Sequence, residues 1–209
     1  LSWGAITGGF CRDSKGIYWR TTKFNGLGLT RFRDADIYSD GGAGKKQPFN
    51  VLFKDVIIKT SYLDEENGYY YMFVQKAAGV KPGVYRIALS KLQNADGSDV
   101  EGNADLTIAD CQLIDDAPVY MDGAHAFTLQ SYKNRIYVAV AGEQFTYQNP
   151  NLPLGDGELF YVNNTNGIFY RVTVLNNVGY KPSEDPFSMY IDKATNNIYI
   201  ADRNVGVQS

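Results

Sequence analysis

The chain has 209 residues, 44% hydrophobic and 14% aromatic, with 20 Lys+Arg against 23 Asp+Glu for a net charge of −3. That length and apolar content support one sizeable folded domain and exclude a disordered chain, while the weakly acidic balance argues against a nucleic-acid binder. One histidine and two cysteines exclude multi-histidine metal sites and four-cysteine zinc or iron–sulfur centres, and no apolar run reaches the roughly 18 residues of a membrane helix.

The chain opens Leu1-Ser2-Trp3-Gly4, without an initiator Met or a basic–apolar leader, and stops at Gly206-Val207-Gln208-Ser209 after a strand-like run. Both ends read as those of a processed chain or a fragment. Ala5 to Arg20 is the first of four hairpins built on one plan: an apolar strand, a polar turn, then a strand with a tyrosine near its start. Val56 to Phe73 is the second, Ala126 to Val140 the third and Phe187 to Ala201 the fourth. Tyr18, Tyr70, Tyr137 and Tyr199 are the equivalent tyrosines. An arginine-bearing strand follows three of the hairpins, at Leu29–Phe32, Val84–Ile87 and Phe169–Val172, and the third repeat expands this part into its own hairpin around Asn163–Gly167. The best helical stretch, Lys76 to Leu92, is broken by Gly79, Pro82 and Gly83.

Three or four strands per repeat, four times over, predict an all-β chain with the pattern of propeller blades, because a twisted blade buries both faces only against its neighbours. A β-sandwich with coincidentally similar hairpins is the competing reading. The expected repeats run approximately 1–50, 51–123, 124–180 and 181–209, the last incomplete, within one β-propeller domain spanning 1–209. Either the four repeats close a compact ring, or they are part of a larger five- to seven-bladed ring, which the open blade faces favour.

Pro186 to Gln208 carries a family resemblance. A proline precedes an apolar strand ending in Asp192, a turn follows through Asn196-Asn197, then comes Ile198-Tyr-Ile-Ala-Asp202 and a turn at Asn204. This stretch resembles an NHL-type β-propeller repeat, while the other repeats fit it loosely: the first lacks the Ala-Asp pair and the third reads Val138-Ala-Val-Ala-Gly142. The resemblance implies a scaffold rather than an activity. The Tyr-, Asn- and Asp-rich style also resembles secreted or surface propeller lipoproteins of the Bacteroidetes, which implies an extracellular, cell-surface or periplasmic location.

Charge is unevenly placed: residues 1–60 hold ten basic and five acidic groups, the remainder ten basic and eighteen acidic. Between Lys91 and Lys133 there is no basic residue but eight acidic ones, Asp96 and Asp99 among them. This reads as a solvated insertion, with a calcium loop as the sharper alternative, since Asn94-Ala-Asp96-Gly97 matches part of that pattern while Leu92 falls where the first ligand belongs. No other cofactor is expected. The basic side centres on Arg31, Arg33, Lys45 and Lys46 beside Phe32, Tyr38 and Phe49, a combination able to hold anionic or aromatic ligands.

Gly41–Lys46 lacks the first glycine and the final Ser/Thr of a phosphate loop, and reads as a loop. His125 has no Gly-x-Ser-x-Gly elbow to serve and reads as structural. Asp192 and Asp202 flank one hairpin and read as turn-closing groups rather than a glycosidase pair. Cys11 and Cys111 read as buried thiols, with a disulfide as the alternative. The chain is therefore expected to be an extracellular ligand-binding or protein-interaction propeller without catalysis of its own. Trp19, Arg31, Arg33, Tyr38, Phe145 and Tyr147 would contact a small molecule, a glycan or a protein. The alternative is a propeller enzyme, of lyase, lactonase or glycosidase type, using carboxylates with or without a divalent cation.

Overall fold

The computed structural model describes residues 7–22, 28–33, 50–76, 79, 81–116, 126–133, 135–140, 158–163, 169–174, 186–202 and 206–208. Among these, the regular structure is all β apart from short 3-10 turns at Leu89–Lys91, Asn103–Asp105 and Ile108–Asp110. No helix among the described residues is long and apolar enough to cross a membrane.

Four antiparallel meanders follow one another along the chain. The first sheet contains β1 (Thr7–Arg12), β2 (Tyr18–Thr22), β3 (Leu29–Phe32) and β4 (Asn50–Leu52). The second contains β5 (Ile57–Asp64), β6 (Tyr69–Lys76), β7 (Gly83–Ala88) and β8 (Gln112–Asp116). The third contains β9 (Ala126–Tyr132), β10 (Arg135–Val140), β11 (Glu158–Asn163) and β12 (Phe169–Val174). The fourth contains β13 (Pro186–Asp192), β14 (Asn197–Asp202) and β15 (Gly206–Gln208). In every sheet, strands adjacent in sequence are adjacent in space. Among the described residues, the stretch Lys76 to Leu92 holds the end of β6, strand β7 and the 3-10 turn Leu89–Lys91.

The hairpin registers correct one expected equivalence. Arg12 pairs with Tyr18 and Cys11 with Trp19, whereas Asp64 pairs with Tyr69 and Leu63 with Tyr70. Trp19, not Tyr18, therefore occupies the position of Tyr70. The first turn holds one residue more than the second, and a one-residue slip moves a side chain to the other face of a strand. Arg31 and Arg86 also take different places. Arg31 lies over Trp19, while Arg86 lies over Tyr69 and donates to Gln112 Oε1 at 2.9 Å.

The first, second and fourth hairpin turns share an aspartate device. Asp13 Oδ1 accepts from the Lys15 and Ile17 amides, Asp64 Oδ1 from the Asn67 amide, and Asp192 Oδ1 from the Ala194 amide. Each carboxylate does what a backbone carbonyl would do in a tighter turn. Thr195 Oγ1, with the Ala194 amide, also holds the Asp192 carboxyl below its usual range.

The chain divides into two compact units, residues 1–81 with 85–112, and 82–84 with 113–209. In the first, β1 and β2 pack on β5. The core between them gathers Ile17, Trp19, Leu29, Leu52, Ile58, Tyr70, Met72, Tyr85, Ile87 and Leu92. Gly9 permits the close approach of β1 to β5, because a Cβ there would lie 2.4 Å from Ser61 Oγ. In the second unit, Ala139, Met189 and Ile200 form a cluster against which Tyr137 and Ile198 pack. Gln130 Oε1 accepts from the Ile191 amide at 2.8 Å, and Tyr132 and Lys133 both donate to Asn196 Oδ1.

Candidate functional site

The first hairpin turn builds inward before it builds outward. Asp13 is buried and three donors converge on its carboxylate: the Lys15 amide at 3.0 Å, the Ile17 amide at 2.7 Å and Trp19 Nε1 at 2.9 Å. A buried carboxylate is tolerable only when so satisfied. Trp19 is 1% exposed; Tyr70 of the second sheet stacks on it at 5.2 Å, and the Arg31 guanidinium lies 4.4 Å from its ring centre.

Arg31 reaches from β3 into the loop that follows the second sheet's third strand. It donates to the Leu92 carbonyl at 2.9 Å, Gln93 Oε1 at 2.8 Å and the Gly97 carbonyl at 3.2 Å, and pairs with Asp99. Its side chain is 2% exposed against 44% for Asp99. Burial pulls the guanidinium below its ordinary value, and Asp99, then Asp13, work against that pull. The fork of donors suits this role in a way a lysine would not. Asn103 Nδ2 donates to the same Leu92 carbonyl at 2.7 Å. Gly97 turns the loop at φ +84°, with its Cβ position tight against Ile17 and Lys15.

The acidic loop is thus bound down onto the first sheet. Asp96 Oδ1 accepts from the Ser98 amide and hydroxyl at 2.9 and 2.6 Å, and these bonds hold its carboxyl below the usual range. Asp96 and Asp99 serve the loop's own geometry, and among the described residues no three His, Cys, Asp or Glu side chains are grouped to hold a metal ion.

Above this scaffold lies a cleft of roughly 430 Å³, lined by Ser14, Lys15, Glu65, Ser90, Gln93 and Asn94 among others. Glu65 accepts from the Ser14 hydroxyl at 2.6 Å and from its amide, and Lys15 Nζ donates to the Asn94 carbonyl at 3.1 Å. The walls are two hairpin turns and the bound-down loop, so the rim is polar and of mixed charge over a fixed base. This cleft is not evident in the sequence. Its only signal is the repetition of polar turns beside an arginine-bearing strand.

Of the residues expected to contact a ligand, Trp19 and Arg31 lie together in the buried layer, and Arg33 is exposed, donating to the Asp96 carbonyl at 3.3 Å. Tyr38, Phe145 and Tyr147 lie outside the described residues, as do Lys45, Lys46 and His125. Cys11 and Cys111 are both free. Burial pushes each thiol up to about 12, and Asp13 (for Cys11) and Asp110 (for Cys111) add to it.

That shift has a sign. An unfolded thiol ionises near its ordinary value of ~8.5, so above that pH the unfolded chain binds fewer protons than the native one. Stability carried by the two neutral thiols is present below that value and is lost as pH rises toward 12. A denaturant titration across pH 8 to 11 is expected to show a falling midpoint that Cys11→Ala/Cys111→Ala flattens. Native thiols are expected to react with iodoacetamide at pH 8 at least tenfold more slowly than in urea; equal rates would contradict the burial.

No protein-family model and no curated protein matches the chain. Solved structures do match. A nidogen/laminin complex superposes with a TM-score of 0.50 at 8% identity, over 95% of this chain and 57% of that one. A proposed 6-phosphogluconolactonase from Bacteroides uniformis gives 0.49 at 14% identity, over 97% of this chain and 50% of that one. The chain thus spans about half the length of these structures. With the four antiparallel meanders, the first likeness identifies the fold as a β-propeller.

Proposed function

We propose that the chain is one propeller domain whose task is recognition rather than catalysis: an extracellular module that binds a protein partner, or a glycan or other small ligand, at the loop end of its sheets. The polar cleft between the first two hairpin turns and the loop tied down by Arg31 supports this reading most. A preformed concave rim with mixed charge costs little ordering on binding. Arg33, at the edge of that loop, and Tyr38, Phe145 and Tyr147 would make the contacts, and Trp19 and Arg31 would hold the floor beneath them. A fold found in a complex of nidogen with laminin suits such work.

The test is capture. The immobilised protein is presented with a glycan array and with the extracellular proteins of its source, and each hit is re-measured with Arg33→Ala and Tyr147→Ala. The proposal expects at least tenfold weaker binding in one of the two at an unchanged thermal midpoint. Unchanged affinity in both would overturn the placement, and turnover of a bound lactone or glycoside would overturn the non-catalytic reading.

A further inference from the structure

The cleft between the first two hairpin turns holds two opposite charges that do not meet. Lys15 stands on the first turn and Glu65 on the second, both exposed and both lining the cleft. Among the described residues no ion pair joins them, and none takes up either charge. Lys15 Nζ uses one of its three donors, on the Asn94 carbonyl at 3.1 Å. Glu65 accepts from the Ser14 amide on both carboxylate oxygens at 3.1 Å and from the Ser14 hydroxyl at 2.6 Å, and keeps further lone pairs for a donor from outside. Both groups are held where they stand. Asp13 fixes the backbone at Lys15, and Asp64 closes the turn that carries Glu65 by accepting from the Asn67 amide and side chain.

Two fixed opposite charges in one cleft select a ligand at both ends. A ligand with a single charge gains at one wall and meets a like charge at the other. A neutral polyol pairs with neither charge in full, and no aromatic ring for a sugar to stack on is among the described residues that line the cleft. A ligand with an ammonium at one end and a carboxylate at the other satisfies both walls with charge-assisted hydrogen bonds. Size points the same way. Small-molecule sites run from about 300 to 1,000 Å³, and this cleft, at roughly 430 Å³, stands near the lower end. Leu89 and Ala95 supply a little apolar surface for the body of such a ligand.

We propose that the cleft takes a small zwitterion, an α-amino acid or a short peptide with both termini free, its ammonium on Glu65 and its carboxylate on Lys15. This rests on the recognition reading and names the ligand class of that site.

Isothermal titration calorimetry of the 209-residue protein with the common amino acids and a dipeptide library, at millimolar concentration, tests this. At least one is expected to bind, and each of its charges to have its own counterpart. N-acetylation of that ligand is expected to weaken binding to the wild type at least tenfold and to add nothing in Glu65→Gln. C-amidation is expected to behave in the same way against Lys15→Met. The blocked ligands on wild-type protein keep the test decisive where a variant fails to fold. A ligand that tolerates either blocking group at full affinity overturns the proposal. So does one whose loss on acetylation persists undiminished in Glu65→Gln, or whose loss on amidation persists in Lys15→Met. If no amino acid or dipeptide binds while the glycan array or the extracellular proteins give a hit, the zwitterion is overturned and the recognition reading stands. If nothing binds in either screen, both fall.

Discussion

Trp19→Ala is expected to cost about 3–5 kcal/mol, the range for emptying a buried aromatic site. The side chain is 1% exposed, stacks on Tyr70 and donates to Asp13. Its loss therefore opens a cavity in the joint between the first two sheets and removes one of three donors from a buried carboxylate. In a chain of this length each kcal/mol moves the midpoint by ~2–4 °C, so a fall on the order of 10 °C is expected by calorimetry. Trp19→Phe separates the two causes: it keeps most of the ring and loses the indole N–H, and is expected to cost less than half as much. Equal losses would assign the effect to Asp13 rather than to packing.

Arg31→Met carries the second large effect. The replacement keeps length and apolar bulk but strips donors from Gln93 Oε1 and the Gly97 carbonyl, and leaves the Leu92 carbonyl to Asn103 and a long bond from the Val100 amide. Breaking a buried ion pair by removing one partner costs ~3–5 kcal/mol; here Asp99 stays 44% exposed, so the lower end is expected. Asp99→Asn, by contrast, alters the solvated partner and is expected to cost about 1 kcal/mol or less. The comparison decides whether Arg31 matters as a charge or as a fork of donors. Near-equal losses in urea titrations would favour the charge. A much larger loss in Arg31→Met would favour the fork, and faster amide exchange at Asn94 and Gly97 would locate the released loop.

Much of this arrangement was legible in the sequence. Alternating apolar strands around polar turns gave the hairpins at their observed places, and the Asn-Gly turn after Asn163 marked the pair β11 and β12. Asp192 was legible as a turn-closing residue. What the pattern did not carry was depth. An arginine between Thr30 and Phe32 looks like a basic edge, and a tryptophan at a strand start looks like a platform. The place of the tryptophan follows from the turn length at Asp13–Ile17, where one extra residue puts Trp19, not Tyr18, at the position of Tyr70, and Arg31 is opposite Trp19 on the next strand. The acidic run around Asp96 was equally ambiguous, because carboxylates that bind a cation and carboxylates that cap their own loop share a composition. The fold adds what composition lacks: Ser98 donates to Asp96, and Arg31 pairs with Asp99. The cleft draws on residues from Ser14 to Ala95 that no local window contains.

The central claim is that a buried Trp19–Arg31 layer supports the recognition surface without forming it. The indole N–H of Trp19 tests this directly. The chain has two tryptophans, so a ¹H–¹⁵N spectrum shows two indole signals, assigned with Trp19→Phe. On transfer to D₂O, the Trp19 signal is expected to persist for hours, to shift in Asp13→Asn, and to stay in place when any captured ligand is titrated to saturation while the Arg33 side-chain signal moves. An indole that exchanges within minutes, or that moves in step with ligand, would put Trp19 at the surface and contradict the account.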